Sequence, residues 1–494
     1  MNVRHFAAIL LLAGAAAGMA HAGPVPNPVV SGPVAAPDIP GTPTHNYPLF
    51  ASNHSLAAHG YVETEYFIQG TANRYNTPAL ATGSVIDGNH PYATRIVVRR
   101  PADPAKFNGT VLVEWYNVTN GFDAENTWFF SWEHILAAGY AWVGVSAQQV
   151  GVNRLKTWSP ARYGTLDVTQ GGTITDDSLS YDIFSQAGQA VRSPVGVDPL
   201  GGLKARRVIA IGESQSAFRL ALYINSINPL AGEYDGFLVL STLGNLIRTD
   251  LPVPVWKVLT EYDVAYSEAV VRQPDTDKFR TWEVAGSSHV DQHLRASREP
   301  LELRDFTTAT AASSSEALLS PQCAVPLIGT RVPTHDVVSH AYDLLVRWIT
   351  DGTPPPSAPR LTIATLGAAG VPSVVARDSL GLAEGGIRLA ELAVPTAKNV
   401  GINTGPGACV RWGYSLPFSV DVLDGLYPSH DGYVDQVIAA TRNNVRAGYI
   451  GAAAGRRSIL EAVRSGVGRG SGGEHGKDSS IDFNRDADFR GGDR

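Results

Sequence analysis

Short unbroken apolar runs recur along the chain and alternate with stretches in which apolar residues return every three or four positions. The first pattern suits strands buried on both faces, the second helices that pack by one face. Runs at 111–113, 141–146, 208–211, 234–240, 253–259 and 278–284 predict buried strands. Helical spacing at 128–138, 181–191, 217–224, 340–350 and 433–446 predicts helices between and after them. Strand alternating with helix is the signature of an α/β fold, a mostly parallel central sheet flanked by helices. Two earlier β-type runs, 61–69 and 94–100, predict an antiparallel pair at the first edge of that sheet.

One transition carries chemistry. In Arg207 to Leu220, RVIAIGESQSAFRL, the apolar run stops at Gly212 and helical spacing resumes at Ala217. Ser214 therefore sits on a sharp turn at the start of a helix, where unpaired backbone N–H groups can stabilise developing negative charge. The pattern G-x-S-x-S is a variant of the G-x-S-x-G nucleophile elbow, with Ser216 in place of the second glycine. Ser214 is the predicted nucleophile, and the amide of Gln215 the predicted first oxyanion donor. The loop after the 111–113 strand is positioned to supply a second amide, placed at Asn117 or Val118; turn formation is the plain alternative for Asn117.

Further along, the strand 253–259 runs into Thr260-Glu261-Tyr262-Asp263, and 278–284 into Ala285-Gly286-Ser287-Ser288-His289. Serine, acid and histidine thus follow one another, each just past a strand end, where parallel sheets place their ligand crevice. His289 is the predicted base, because imidazole titrates near working pH, and Asp263 the acid that orients it. Glu261, two residues away, is the alternative acid, and His293 the reserve base. Trp115, Tyr116 and Trp128 lie near the oxyanion loop, either lining an aromatic pocket or packing in the core.

Composition narrows the class. A net charge of −7 with no basic block argues against nucleic acid as a partner. Residues 1–22, with Arg4 and His5 before an apolar stretch and Ala20-His21-Ala22 at its end, are read as a secretory signal peptide. No later stretch approaches the roughly 20 apolar residues of a membrane span. An exported chain with only Cys323 and Cys409 in its mature part predicts one disulfide between them and, with no second ligand at metal spacing, no metal site. The expected organisation is an extended leader at 23–46, a core at 47–357 with an insertion at 148–190, an appended region at 358–463 that packs on the core, and a disordered tail at 464–494.

With these residues in view, the chain from about 45 to about 463 resembles a family of large exported bacterial α/β-hydrolase domain proteins. The resemblance rests on VEWYNVTNG, GYAWVGVSAQQVGV, SYDIFSQAG, IGESQSA, VLTEYDV, AGSSHVD, LVRWITDGTPPPSAPRL, GLAEGGIRLAELAVP and GLYPSHDGYVDQVIAAT. It implies an α/β-hydrolase fold and a serine hydrolase of carboxylic esters, without naming the ester; the triad chemistry read above acts on a small-molecule ester and needs no cofactor. An amidase or peptidase with the same triad, and a non-catalytic binding module on the same fold, are the competing readings. The sequence sets no oligomeric state.

Overall fold

The computed structural model describes residues 25–306, 320–326, 328–368 and 370–469. The expected signal peptide and most of the expected tail, with its Asp-rich portion, lie outside these residues.

Ten strands form one sheet: β1 (Val29–Ser31), β2 (Tyr61–Tyr75), β3 (Val85–Pro101), β4 (Thr110–Trp115), β5 (Ala141–Val145), β6 (Val195–Gly196), β7 (Arg207–Glu213), β8 (Gly236–Leu240), β9 (Val255–Thr260) and β10 (Phe279–Val284). Their order is β10-β9-β8-β7-β4-β5-β3-β2-β1-β6. From β10 to β5 every pairing is parallel, and the hairpin β2–β3 joins antiparallel to β5. The parallel strands are the predicted apolar runs, buried on both faces because helices cover each side. One connection leads from β4 outward to β5, and the chain then returns across β4 to β7. The ends of β4 and β7 therefore flank a topological switch point, where a crevice opens.

Two expectations about the other edge need correcting. The β2–β3 hairpin is longer than predicted and is not the edge, because β1 pairs antiparallel with β2 and β6 lies beside β1. The leader at 23–46 is thus partly strand: Val30 is buried between exposed Val29 and Ser31, the period-two pattern of a half-buried strand.

The 148–190 stretch folds as the helices Gln149–Trp158 and Pro160–Tyr163, with a loop leading to the helix Ser180–Arg192. At the far edge, residues from 358 onward continue the sheet past β10: the Ile387 N–H donates to the Glu283 carbonyl at 2.7 Å, and Ala285 N–H to the Ile387 carbonyl at 3.0 Å. Ile387 lies in the main core, so GLAEGGIRL serves the sheet edge. The helices His430–Arg446 and Ala452–Arg464 build a smaller apolar cluster with Val434, Val437 and Ala462.

Candidate active site

Ser214 stands at φ 57° and ψ −117°, between the last residue of β7 and the helix Gln215–Leu222. Side chains with a Cβ rarely adopt this conformation, and here three features impose it. The Ser214 N–H donates to the Leu240 carbonyl of β8 at 3.0 Å. Gly212 lets the helix turn back closely, since a Cβ there would lie 3.2 Å from the Ser216 backbone. Ser216 Oγ then closes the turn, donating to the Glu213 carbonyl at 2.9 Å and accepting from the Glu213 N–H at 3.0 Å. The departure from the usual second glycine is thus a hydrogen-bonded tie.

His289 bridges the other two predicted residues. Its Nε2 lies 2.7 Å from Ser214 Oγ and its Nδ1 2.7 Å from Asp263 Oδ1. The second Asp263 oxygen accepts from both the backbone N–H and the hydroxyl of Thr260, each at 2.7 Å, as part of a capping box at the end of β9. Asp263 is therefore held by one oxygen while the other faces the ring. Burial by itself would lower the His289 pKa; the charge and hydrogen bond of Asp263, with the charge of Glu213, outweigh it and raise it above 6.5.

Glu261 is turned elsewhere. Its carboxylate pairs with Arg377 and accepts the N–H groups of Gly286 at 2.9 Å and Gly401 at 3.2 Å, so it ties loops together rather than facing the imidazole. His293 stacks on His335 with ring centroids 3.9 Å apart and its Nε2 lies 3.5 Å from Glu133, so its ring is engaged with these residues and not with Ser214 or Asp263.

The oxyanion loop corrects one assignment. The Asn117 N–H is not available, because Asn117 and Ala124 exchange both backbone hydrogen bonds, at 3.0 and 2.8 Å. The Asn117 side chain instead donates to the Glu213 carbonyl at 3.0 Å and to the Glu213 carboxylate at 3.3 Å. Val118, the second candidate, directs its N–H at the Gln215 side-chain oxygen, 3.2 Å away. Gln215 in turn donates to Gln148 at 3.0 Å, which also accepts the indole N–H of Trp115 at 3.2 Å. Trp115, Tyr116 and Trp128 are buried in the core.

Two buried arginines on the same face of β3 hold this loop from below. Arg95 reaches Glu65 at 3.2 Å and Asp123 at 3.5 Å; Arg99 reaches Glu63 at 2.7 Å and Glu125 at 2.9 Å, and lies over the rings of Trp128 and Trp142. Glu114, at the end of β4, accepts the N–H groups of Thr127 and Trp128 and so caps the helix Asn126–Ala137.

Glu213 was missed by the sequence reading although it lies inside the elbow motif. Its carboxylate is buried, accepts from Asn126 at 2.7 Å, and has an oxygen 3.5 Å from His289 Nε2. Burial raises its pKa, with His289 and Asn126 acting in the opposite direction. An acidic residue ending an otherwise apolar strand was the available signal.

Residues 30–460 match the family model described as alpha/beta hydrolase domain. The chain belongs to this family. Among solved structures it is similar to esterase Est22, at 14% identity over 42% of this chain and 67% of that one with a TM-score of 0.25. It is also similar to a dienelactone hydrolase from Anabaena variabilis, at 13% identity over 47% of this chain and 96% of that one, TM-score 0.29. A third is the rice cell wall degrading esterase LipA from Xanthomonas oryzae, at 11% identity over 39% and 47% of the two chains, TM-score 0.24. The comparison with curated proteins gives no match.

In this α/β hydrolase Cys323 and Cys409 are joined by a disulfide, as expected from the composition. Among the described residues no helix is long and apolar enough to cross a membrane, and no group of three or more His, Cys, Asp or Glu is arranged to hold a metal ion.

Proposed function

We propose that the protein is an exported serine hydrolase of carboxylic esters. The observation that carries this reading is the His289 ring spanning Ser214 Oγ and Asp263 Oδ1, 2.7 Å from each. A serine hydroxyl is a weak nucleophile unless a base takes its proton as it attacks. His289 is in contact to take it, and Asp263 holds the Nδ1–H tautomer that leaves Nε2 as the acceptor. The attack converts the ester carbonyl into a tetrahedral oxyanion. The Gln215 N–H, first in its helix and so without a carbonyl one turn back, is one donor to it. The Val118 N–H is the other, once the Gln215 side-chain oxygen gives way to the substrate. Collapse transfers the His289 proton to the leaving alkoxide and forms an acyl-Ser214; water, activated by the same histidine, then releases the acid. Export is supported by the leader sequence together with the disulfide, which persists in oxidising compartments.

Hydrolysis of p-nitrophenyl esters from acetate to decanoate, measured for the mature protein beside Ser214→Ala, tests the reading. The wild type should turn over, and the variant should lose at least about a thousandfold in kcat. Equal rates in the two proteins would remove Ser214 from the mechanism. A folded wild type that cleaves p-nitroanilides but no ester would move the assignment to amides.

A further inference from the structure

Arginines at the buried positions of this chain are matched to carboxylates: Arg95 and Arg99 to the pairs described above, Arg162 to Glu65, and Arg280 to Asp275 at 3.0 Å. Arg411 is different. It lies on the short helix Cys409–Trp412, two residues after the disulfide and next to buried Trp412. Its carbonyl accepts the Val290 N–H at 3.0 Å, and its own N–H bonds the Ala408 carbonyl at 2.9 Å. Its backbone is therefore pinned against the residue that follows His289. Its half-buried guanidinium has no ion pair or hydrogen bond among the described residues.

The surroundings of this charge point toward the candidate site. The His289 and Tyr262 rings are 5.2 Å apart, and Tyr262 stacks at 4.4 Å on Tyr266, which is exposed. Both His289 and Tyr262 feel the Arg411 charge: at His289 it acts with burial and against the Asp263 and Glu213 carboxylates to oppose protonation, and at Tyr262 it acts against burial and Asp263 to favour ionisation. A partly desolvated cation with no partner costs stability. Beside a base that must accept a proton it also opposes the reaction. Both costs disappear when an anion sits on it, and a guanidinium suits a carboxylate, which it can hold through two parallel hydrogen bonds.

We propose that Arg411 binds a carboxylate carried by the ester substrate, with Tyr262 and Tyr266 lining the path between that carboxylate and the scissile bond. The inference rests on the serine-hydrolase reading and names its substrate class: esters that bear a free carboxylate. Binding neutralises Arg411 and so strengthens His289 as a base in the loaded site only.

Matched ester pairs test it, one for each side of the ester bond: p-nitrophenyl butyrate against p-nitrophenyl hemisuccinate, and phenyl acetate against 4-acetoxybenzoate. At low ionic strength the wild type should favour the charged member of at least one pair by about tenfold or more in kcat/KM. Arg411→Gln should bring that ratio to about one or below through KM of the charged ester, and Arg411→Lys should keep part of it; melting temperatures show whether each variant is folded. The pair that responds tells whether the carboxylate belongs to the acyl or the alcohol part. Calorimetric binding of glutarate to wild type and to Arg411→Gln gives a readout that needs no turnover, with binding expected in the wild type and lost in the variant. Ratios near one in both wild-type pairs, ratios unmoved by Arg411→Gln, or glutarate binding that is absent or equal in the two proteins would overturn the proposal. Loss of ester turnover with Arg411-dependent glutarate binding retained would instead count against the serine reading.

Discussion

A serine held at positive φ costs on the order of 1–3 kcal/mol, so the bonds that hold Ser214 in place are part of its chemistry. The same holds for the charges around His289, which faces Asp263 at Nδ1, Glu213 and Ser214 at Nε2, the Tyr262 ring from the side, and the Arg411 charge. Because the first two raise its pKa above 6.5, the acid limb of kcat/KM, where the base becomes protonated, should have its midpoint above pH 6.5. Glu213→Gln removes one negative charge while keeping an amide of the same shape, and the midpoint should fall, with a smaller kcat. Asp263→Asn should cost on the order of 10⁴ in kcat by inverting the tautomer preference. Glu261→Gln should lower thermal stability by loosening the Gly286 and Gly401 loops and leave the acid limb where it was. A pH–rate series on these three variants decides between the two acids, and a limb that shifts with Glu261→Gln and not with Asp263→Asn would reverse the assignment.

The segments that present these residues differ in how far they could be read from the chain. Strands β4, β5 and β7 to β10 were legible because a parallel strand buried on both faces must be apolar throughout, and the elbow was legible because a strand, a tight turn and a helix follow one another within fourteen residues, Arg207 to Leu220. Asp263 and His289 were legible for the same reason, each lying just beyond such a strand. Other features leave little local trace. Strands as short as β1 and β6, three and two residues, are too brief for a pattern to stand out in the sequence, and their place depends on a neighbour distant in sequence. Arg95 and Arg99 look like the polar face of a strand, and their burial is made possible by carboxylates from two places, Glu63 and Glu65 of β2 and Asp123 and Glu125 of the 116–125 loop. The Asn117 amide looked free because its partner, Ala124, is reached only once the loop has closed. That loop is therefore as strong as its ion pairs. Arg99→Met, which leaves Glu63 and Glu125 without their partner, should destabilise the protein by about 3–5 kcal/mol in denaturant titration. Kinetic constants on the remaining folded protein should show the loss in kcat, where the oxyanion donors act.

Across the molecule, one sheet brings together residues 49 and 26 positions apart, Ser214 to Asp263 and Asp263 to His289, on neighbouring strands β7, β8, β9 and β10. The outer side of β10 is closed by the segment around Leu361 and Ile387, with Glu283 accepting the Leu361 N–H at 2.8 Å and pairing with Arg272. An uncovered strand edge invites pairing with other chains. A chain ending at residue 357 should accordingly be recovered as aggregate, where the full chain is recovered in solution; a soluble, cooperatively unfolding truncation would show that 358–463 does no more than pack on the surface. Treating the mature protein with a fluorophosphonate and reading the site of attachment by peptide mass spectrometry tests Ser214 as the nucleophile and His289 as its base. One adduct is expected, on Ser214, absent from Ser214→Ala and formed at least about a hundredfold more slowly in His289→Ala. An adduct on another serine, or labelling at an unchanged rate without His289, would contradict that assignment.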